Sequence, residues 1–218
     1  MAEFKLSILI CSTRERSKSF SEVIKRLGVI PHTIRTTESL NETIFYGDIS
    51  NEVQVISIID NKQISVGAKR QRLLELSKAE WIDFFDDDDE PYNGYSDKIM
   101  YGINNYPDID CMGIHGDMTT NGINPKTWIH SMAFKEWRGD GRKRLESGFD
   151  YERNIIHFNP VKRIKALESG FKDIRFGEDK DYSDRLNKLL TKEYFIPEPL
   201  FHYKFTTKET HNKKYGIQ

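Results

Sequence analysis

Short apolar runs recur along the chain, and most of them end in polar residues. Residues 4–11, 53–59 and 81–85 each have the length and continuous apolar character of a buried strand. Between the first two runs, apolar residues at helical spacing begin at Phe20 and stop at Gly28. Strands that alternate with helices in this way predict an α/β protein.

Capping and breaking signals predict the other helices, at residues 66–79, 95–105 and 160–170. A further helix is expected to open within residues 176–181 and to end at residue 190. Ser65 is a typical N-cap for the first of these. Asn159 and Pro160 are expected to be the cap and first residue of the third.

The remaining pattern is weaker. We predict a strand at 33–37 followed by loop to residue 51, and a strand at 110–116. Residues 118–127 are expected to form a loop and 128–137 a strand, with further strand-like segments in 193–205.

The composition indicates one soluble domain. With 218 residues, of which 37% are hydrophobic, the chain is long enough to bury a full core. The net charge of -1 excludes a globally basic nucleic-acid binder. Cys11 and Cys111 lack metal-ligand spacing and are expected to be reduced, and we expect a cytoplasmic protein without a signal peptide or transmembrane segment.

Four consecutive aspartates, Asp86 to Asp89, follow the apolar run that ends in Phe84 and Phe85. Their mutual repulsion would weaken the fold unless a positive charge is nearby. Side chains alternate along a strand, so Asp86 and Asp88 should face one way and Asp87 and Asp89 the other. Two carboxylates on one face suit Mg²⁺ or Mn²⁺, which take their other ligands from water or phosphate. A solvated acidic turn is the alternative.

Basic residues are concentrated elsewhere. Residues 135–144 carry five bases against two acids, and Lys69 and Arg70 lie near the start of the helix at 66–79. Cations at a helix N-terminus are slightly unfavourable, which favours either an anionic ligand or the aspartate run as their partner.

The order of these pieces resembles the family 2 glycosyltransferases, over nearly the whole chain. The resemblance is carried by the strand at 6–11 with its polar loop, Gly67-Ala-Lys-Arg70, Phe84-Phe-Asp-Asp-Asp-Asp89, His157-Phe-Asn-Pro160 and Gly177-Glu-Asp179. It implies a GT-A fold, a Rossmann-like single α/β domain with a mixed central sheet flanked by helices. Residues 1–116 would bind the nucleotide sugar, 117–205 would bind the acceptor and catalyse transfer, and 206–218 would be a flexible tail.

The resemblance also implies a metal-dependent transfer from a nucleotide-diphosphate sugar, a UDP-sugar first, to an acceptor hydroxyl with inversion. The expected donor-binding residues are Ser12, Thr13, Arg14, Asp60, Lys69, Arg70 and Asp86. Asp88 is the expected main ligand of Mn²⁺ or Mg²⁺, with Asp86 assisting and His202 completing the shell.

An attacking hydroxyl must lose its proton, which requires a carboxylate across the sugar from the metal. Asp179 is the first choice for this base and Glu178 the second. His157 and Asn159 are expected to contact the acceptor.

Other functions compete with this one. A calcium-binding loop that started at Asp86 would need Gly at its sixth position, but that position is Pro91. A metal-dependent nucleotidyl- or phosphotransferase would leave Glu178 and Asp179 without a role, and a non-catalytic saccharide-binding protein would show no turnover. For the acceptor, a glycan or lipid-linked sugar ranks before a hydroxylated nucleobase in viral DNA, although the bases at 135–144 and the tail lysines suit a polyanion.

Overall fold

A computed structural model describes residues 4–37 and 41–207. Its strands are β1 (Leu6–Thr13), β2 (Ile30–Thr37), β3 (Glu42–Asp48), β4 (Val53–Asp60), β5 (Trp81–Asp86), β6 (Glu90–Pro91), β7 (Cys111–Thr120), β8 (Ile123–His130), β9 (Tyr151–Arg153), β10 (Val161–Lys162), β11 (Glu193–Phe195) and β12 (Phe201–Phe205). Its α-helices are α1 (Ser17–Leu27), α2 (Val66–Leu76), α3 (Tyr95–Asn105), α4 (Arg163–Ser169) and α5 (Glu178–Leu186).

The strands form a mixed central sheet in the order β2-β3-β4-β1-β5-β10-β7-β12-β6. In it, β4, β1 and β5 are parallel neighbours. The last strand of the described chain, β12, lies between β7 and β6, parallel to β7 and antiparallel to β6. Because β1, β4 and β5 run in one direction, their carboxyl ends meet at one edge, where α/β sheets bind ligands.

Helices cover both faces of the sheet, which confirms the predicted α/β architecture. Apolar side chains of α1 and α3 pack in one core cluster, and those of α2, α4 and α5 pack in a second. In β5, Trp81 and Phe85 belong to the first cluster, and Ile82 and Phe84 belong to the second. This alternation fits a strand buried on both faces. No helix in the described ranges is long and apolar enough to cross a membrane.

Several helix signals are confirmed. Gly28 adopts φ 72° and ends α1, and the hydroxyl of Ser65 accepts a hydrogen bond from the backbone N–H of Ala68 at the start of α2. Helix α3 has the predicted bounds. Helix α2 ends at Leu76, three residues earlier than predicted.

Other predictions are wrong. The loop expected after residue 37 contains β3, which pairs with both β2 and β4. The loop expected at 118–127 is a hairpin of β7 and β8, because Asn121 and Gly122 both take positive φ, the geometry of a tight hairpin turn. Helix α4 begins at Arg163, after the short strand β10, so Asn159 and Pro160 do not start it.

The predicted tail lies mostly outside the described residues. Thr206 and Thr207 are described, and the backbone N–H of Thr207 donates to the side chain of Asn121 in the hairpin turn. Lys208, Lys213 and Lys214 fall in the part of the chain that is not described.

Candidate active site

The aspartate run divides into two pairs that differ in burial. Asp87 and Asp89 are 1% and 2% exposed, whereas Asp86 and Asp88 are half-buried. This division matches the predicted alternation, but β5 ends at Asp86 and the next three residues form a turn. The end of β5 therefore places Asp86, whereas the turn, and not an extended strand, places Asp88 away from the interior.

The two buried aspartates fasten the turn to its neighbours. Asp87 accepts hydrogen bonds from the Ser12 hydroxyl at 2.6 Å and from the Arg16 guanidinium at 2.8 Å. Asp89 accepts one from the backbone N–H of Lys204 at 2.9 Å, which ties the turn to β12. Burial and the nearby Asp86 carboxylate raise the pKa of Asp89 well above its ordinary value.

The half-buried aspartates meet two arginines. Asp86 Oδ1 lies 3.4 Å from the Arg70 guanidinium, and Asp88 Oδ2 lies 3.1 Å from that of Arg16. Burial raises the pKa of Asp86, although Arg70 opposes the rise. Arg16 was not among the predicted site residues, although it belongs to the polar loop after β1.

The donor set at this turn fits a hard divalent ion only in part. Carboxylates on Asp86 and Asp88 are the right ligands for Mg²⁺ or Mn²⁺. Across residues 4–37 and 41–207, no three His, Cys, Asp or Glu side chains are grouped so as to hold an ion by themselves. An ion here would therefore need water or diphosphate oxygens to complete its shell.

The placement of His202 does not support it as a third ligand. Its Nδ1 is paired with Asp117, and its Nε2 lies 3.0 Å from the Thr119 hydroxyl. Both ring nitrogens are thus occupied between β7 and β12.

Helix α2 fastens the strand ends through two adjacent bases. Lys69 is buried, and its ammonium group donates to Asp60 at 2.7 Å and to the backbone carbonyl of Ser12 at 3.1 Å. Asp60 also accepts from the backbone N–H of Ile64 at 3.0 Å. Lys69 and Asp60 therefore neutralise each other beneath the surface, a placement that favours a structural role over the predicted donor contacts.

Arg70 is the centre of the candidate site. Its side chain is buried and donates to Glu178 at 2.7 Å and to Nε2 of His157 at 2.9 Å, besides its contact with Asp86. These partners come from the end of β5, from the 154–160 segment and from the start of α5. Arg70 thus contacts one residue from each of three other motifs of the resemblance: Asp86, His157 and Glu178.

The start of α5 carries the two predicted catalytic acids. Glu178 is buried against Arg70, and burial raises its pKa. Asp179 is half-buried, and the contact described for its carboxylate is with the backbone N–H of Lys180 at 2.7 Å. An acid at a helix N-terminus is stabilised by the helix dipole. The greater exposure of Asp179 suits it better to meet a substrate.

The two predicted acceptor residues are interior. Asn159 is fully buried, accepts from the backbone N–H of Ile156 and donates to the carbonyl of Met112 at 2.8 Å. His157 is buried behind Arg70, and burial lowers its pKa well below the ordinary value. These positions do not support direct contact with an acceptor, and they explain the motif as a support for Arg70.

The predicted polar loop lies beside the aspartate turn. Ser12 is buried by its bond to Asp87, whereas Arg14 is exposed and donates to the Asn41 side chain at 3.1 Å. The Thr13 hydroxyl is buried and has no hydrogen-bond partner among the described residues. Thr13 and Arg14 therefore keep the predicted donor-binding role open, whereas Ser12 is committed to the turn.

A cavity of about 270 Å³ adjoins this site, and sequence reasoning missed it. Its walls are mainly aromatic and include Trp128, Tyr151, Phe158, Phe201 and Tyr203. These residues are spread over β8, β9, β12 and the 154–160 segment, so no local motif indicates that they meet.

The architecture is of the GT-A type found in nucleotide-sugar glycosyltransferases. It is similar to that of TarS from S. aureus, with a TM-score of 0.56 and 9% identity over 98% of this chain. Crystal structures of TarS 1–349 in complex with UDP-GlcNAc and with UDP give TM-scores of 0.56 and 0.57, at 13% and 12% identity over 92% and 98% of this chain. The chain spans 38% of the TarS chain and 58% and 63% of those two.

At this identity the likeness shows a shared fold. No protein-family model and no curated protein matches the sequence.

Proposed function

We propose that this protein is an inverting glycosyltransferase that moves a sugar from a nucleotide-diphosphate sugar to an acceptor hydroxyl. One observation carries the proposal. Arg70 joins the aspartate turn to the start of α5, so the predicted leaving-group site and the predicted base share one edge of the sheet. The fold shared with TarS, which was crystallised with UDP-GlcNAc and UDP, supports a UDP-sugar as donor.

Each acid in this proposal has a separate task. Asp88, assisted by Asp86, would hold Mg²⁺ or Mn²⁺, and the ion would offset the negative charge that develops on the departing diphosphate. Arg70 and Arg16 hold the two carboxylates in place. Asp179 accepts the proton of the attacking hydroxyl, and Glu178 positions Arg70.

The first experiment is a thermal-shift panel of nucleotide diphosphates and nucleotide sugars, each with and without Mn²⁺. A ligand at 100 times its Kd adds about 2.7 kcal/mol to the free energy of unfolding. For a chain of this size the melting temperature then rises by roughly 5 to 11 °C. We expect UDP and a UDP-sugar to give such a shift only with Mn²⁺, and no shift from any nucleotide would refute the proposal.

Two variants then separate the tasks. Asp88→Asn should abolish the Mn²⁺-dependent shift, whereas Asp179→Asn should keep it and lower turnover by about 10² to 10⁴-fold, the usual contribution of a general base. Asp108→Asn, an exposed aspartate in the turn before β7, is the matched control and should change neither. Full turnover in Asp179→Asn would remove Asp179 as the base.

Product analysis distinguishes the competing functions. The proposed reaction releases UDP and leaves the sugar on the acceptor, whereas a nucleotidyl- or phosphotransferase would leave a phosphorus-containing group there. A saccharide-binding protein would consume no donor.

A further inference from the structure

The aromatic cavity borders the proposed reacting centre. Tyr203 lines it and directly precedes Lys204, whose backbone N–H binds Asp89. Burial, then the carboxylates of Asp89 and Asp86, raises the pKa of Tyr203. On another side, Phe158 packs on the His157 ring with centroids 4.0 Å apart, and His157 contacts Arg70. The cavity therefore lies next to the aspartate turn and Arg70, and all of its lining residues fall within 117–205, the part of the chain expected to bind the acceptor.

Its wall is suited to a flat ring. Trp128 and Phe201 pack with ring centroids 4.7 Å apart, and Phe158 lies 5.5 Å from Phe201. Aromatic faces stack well on other planar rings, and a flat ring can bury both faces without losing hydrogen bonds. A fully hydroxylated sugar has polar groups around its whole edge, each of which would need a partner in the wall.

Two polar side chains, His130 and Arg153, also belong to the wall. His130 is 4% exposed and packs on Trp128 with centroids 4.6 Å apart, and its Nδ1 has no hydrogen-bond partner among the described residues. Burial lowers the pKa of His130 well below its ordinary value, so the ring is neutral at pH 7. Because the unpartnered nitrogen is itself buried, His130 contributes a flat, neutral ring to the aromatic wall and not a polar contact.

Arg153 provides the polar group of the wall. Its guanidinium lies over the Trp137 ring, 4.3 Å from the centroid, and within residues 4–37 and 41–207 no carboxylate lies at ion-pair distance from it. Burial lowers the pKa of Arg153, and the nearby Asp179 carboxylate opposes this shift. Arg153 therefore lines the cavity on the side near the proposed base, with its donors available to a carbonyl or similar acceptor.

We propose that this cavity receives a planar unsaturated ring of the acceptor, with His130 in the aromatic wall and Arg153 at the ring's polar edge. The proposal rests on the proposed function for its link to catalysis, since it places the ring so that an attached hydroxyl reaches Asp179. The shared chemistry is a flat ring with polar edge atoms, as in a nucleobase or another heteroaromatic group. It favours such acceptors over one composed only of sugars.

The test measures binding of three small probes by ligand-observed NMR: thymidine, phenyl β-D-glucoside and methyl β-D-glucoside. We expect saturation transfer to the ring protons of thymidine and phenyl β-D-glucoside, and about ten-fold weaker transfer to methyl β-D-glucoside, in line with the usual strength of ring stacking. Equal binding of the two glucosides would overturn the proposal.

Two substitutions in the same hairpin localise the binding. Thr120 lines the cavity, and Ile123, its partner across β7 and β8, is exposed. Thr120→Trp should fill the cavity and reduce binding of both ring probes about ten-fold, whereas Ile123→Trp should leave it unchanged. Unchanged binding in a folded Thr120→Trp variant would also overturn the proposal.

Arg153→Met tests the polar edge and identifies the type of ring. This substitution should weaken the binding of thymidine, which has carbonyl groups, and leave the binding of phenyl β-D-glucoside unchanged. Full retention of thymidine would refute the role of Arg153. The UDP thermal shift is measured on the same wild-type samples. If the wild type binds no ring probe but shows a normal UDP shift, only this inference is refuted, whereas absence of the UDP shift refutes the proposed function.

Discussion

Replacing Arg70 by Met should destabilise the fold strongly, because Arg70 is 5% exposed and its guanidinium has three partners. The substitution leaves Glu178 and Asp86 without their cation. Removing one member of a buried ion pair usually costs about 3 to 5 kcal/mol. For a domain of this size the melting temperature should fall by roughly 6 to 20 °C.

Urea denaturation of four proteins measures the effect: the wild type, Arg70→Met, Glu178→Gln and the double variant. The double variant should be more stable than the sum of the single costs implies, by about 1 to 3 kcal/mol, since neutralising Glu178 removes one of the uncompensated charges. Arg26→Met is the matched control, because Arg26 pairs with Glu90 while its side chain is 49% exposed.

The control should lose no more than about 1 kcal/mol. Two results would refute the reasoning: a cost for Arg70→Met as small as that of the control, or strictly additive costs in the double variant.

Two further predictions concern stability. Burial alone would raise the pKa of Asp110, but hydrogen bonds from the side chain and backbone of Thr191 outweigh burial and lower this pKa. The Asp110 carboxylate therefore stabilises the fold above its unfolded pKa, and this stabilisation is lost as the pH falls through its lower folded pKa. Denaturation from pH 7 to pH 3 should therefore show Asp110→Asn about 2 kcal/mol less stable at pH 7 and the difference shrinking in acid, whereas a constant difference would contradict this. A Cβ at Gly67 would lie 1.9 Å from the carbonyl oxygen of Lys172, so Gly67→Ala should cost about 2 to 3 kcal/mol in the same assay. Gly122→Ala should cost about 1 kcal/mol, because Gly122 has positive φ but nothing lies within 4 Å of the added carbon. A cost for Gly122→Ala as large as that for Gly67→Ala, or larger, would contradict the packing argument.

The parts of the fold with strong periodicity could be predicted from sequence. The strands β1, β4 and β5 are continuous apolar runs, and α1 and α3 have clear apolar spacing and end signals. Strand β2 is exposed along almost its whole length and shows little of the apolar alternation by which strands are recognised, so only its residues 33–37 were predicted. The hairpin of β7 and β8 had a usable signal in Asn121-Gly122, which indicates a tight turn.

The candidate site was predictable as a set of motifs but not as a set of partners. The resemblance placed Arg70 and Asp86 together among the expected donor-binding residues, and the structure places them in contact. Two pairings could not be predicted in this way: the ion pair of Lys69 with Asp60, and the contacts of both His202 ring nitrogens with β7. They depend on how separate elements pack together. Sequence shows which residues are chemically able to act, whereas only the packed sheet shows which of them are already paired.

The position of β12 has a consequence for the order in which the protein is made. Phe201 and Tyr203 of this strand line the aromatic cavity, and Lys204 fixes Asp89 through its backbone. Its neighbours β6 and β7 are synthesised about 80 to 110 residues earlier. A ribosome therefore releases β1, β4, β5 and helices α1 to α5 before β12, the strand that completes the site. Contacts between segments so distant in sequence form late in folding. Until β12 is synthesised, Asp89 lacks the backbone N–H of Lys204 and β7 lacks its neighbour β12, so a nascent chain at that stage exposes an unpaired strand edge that can misassemble.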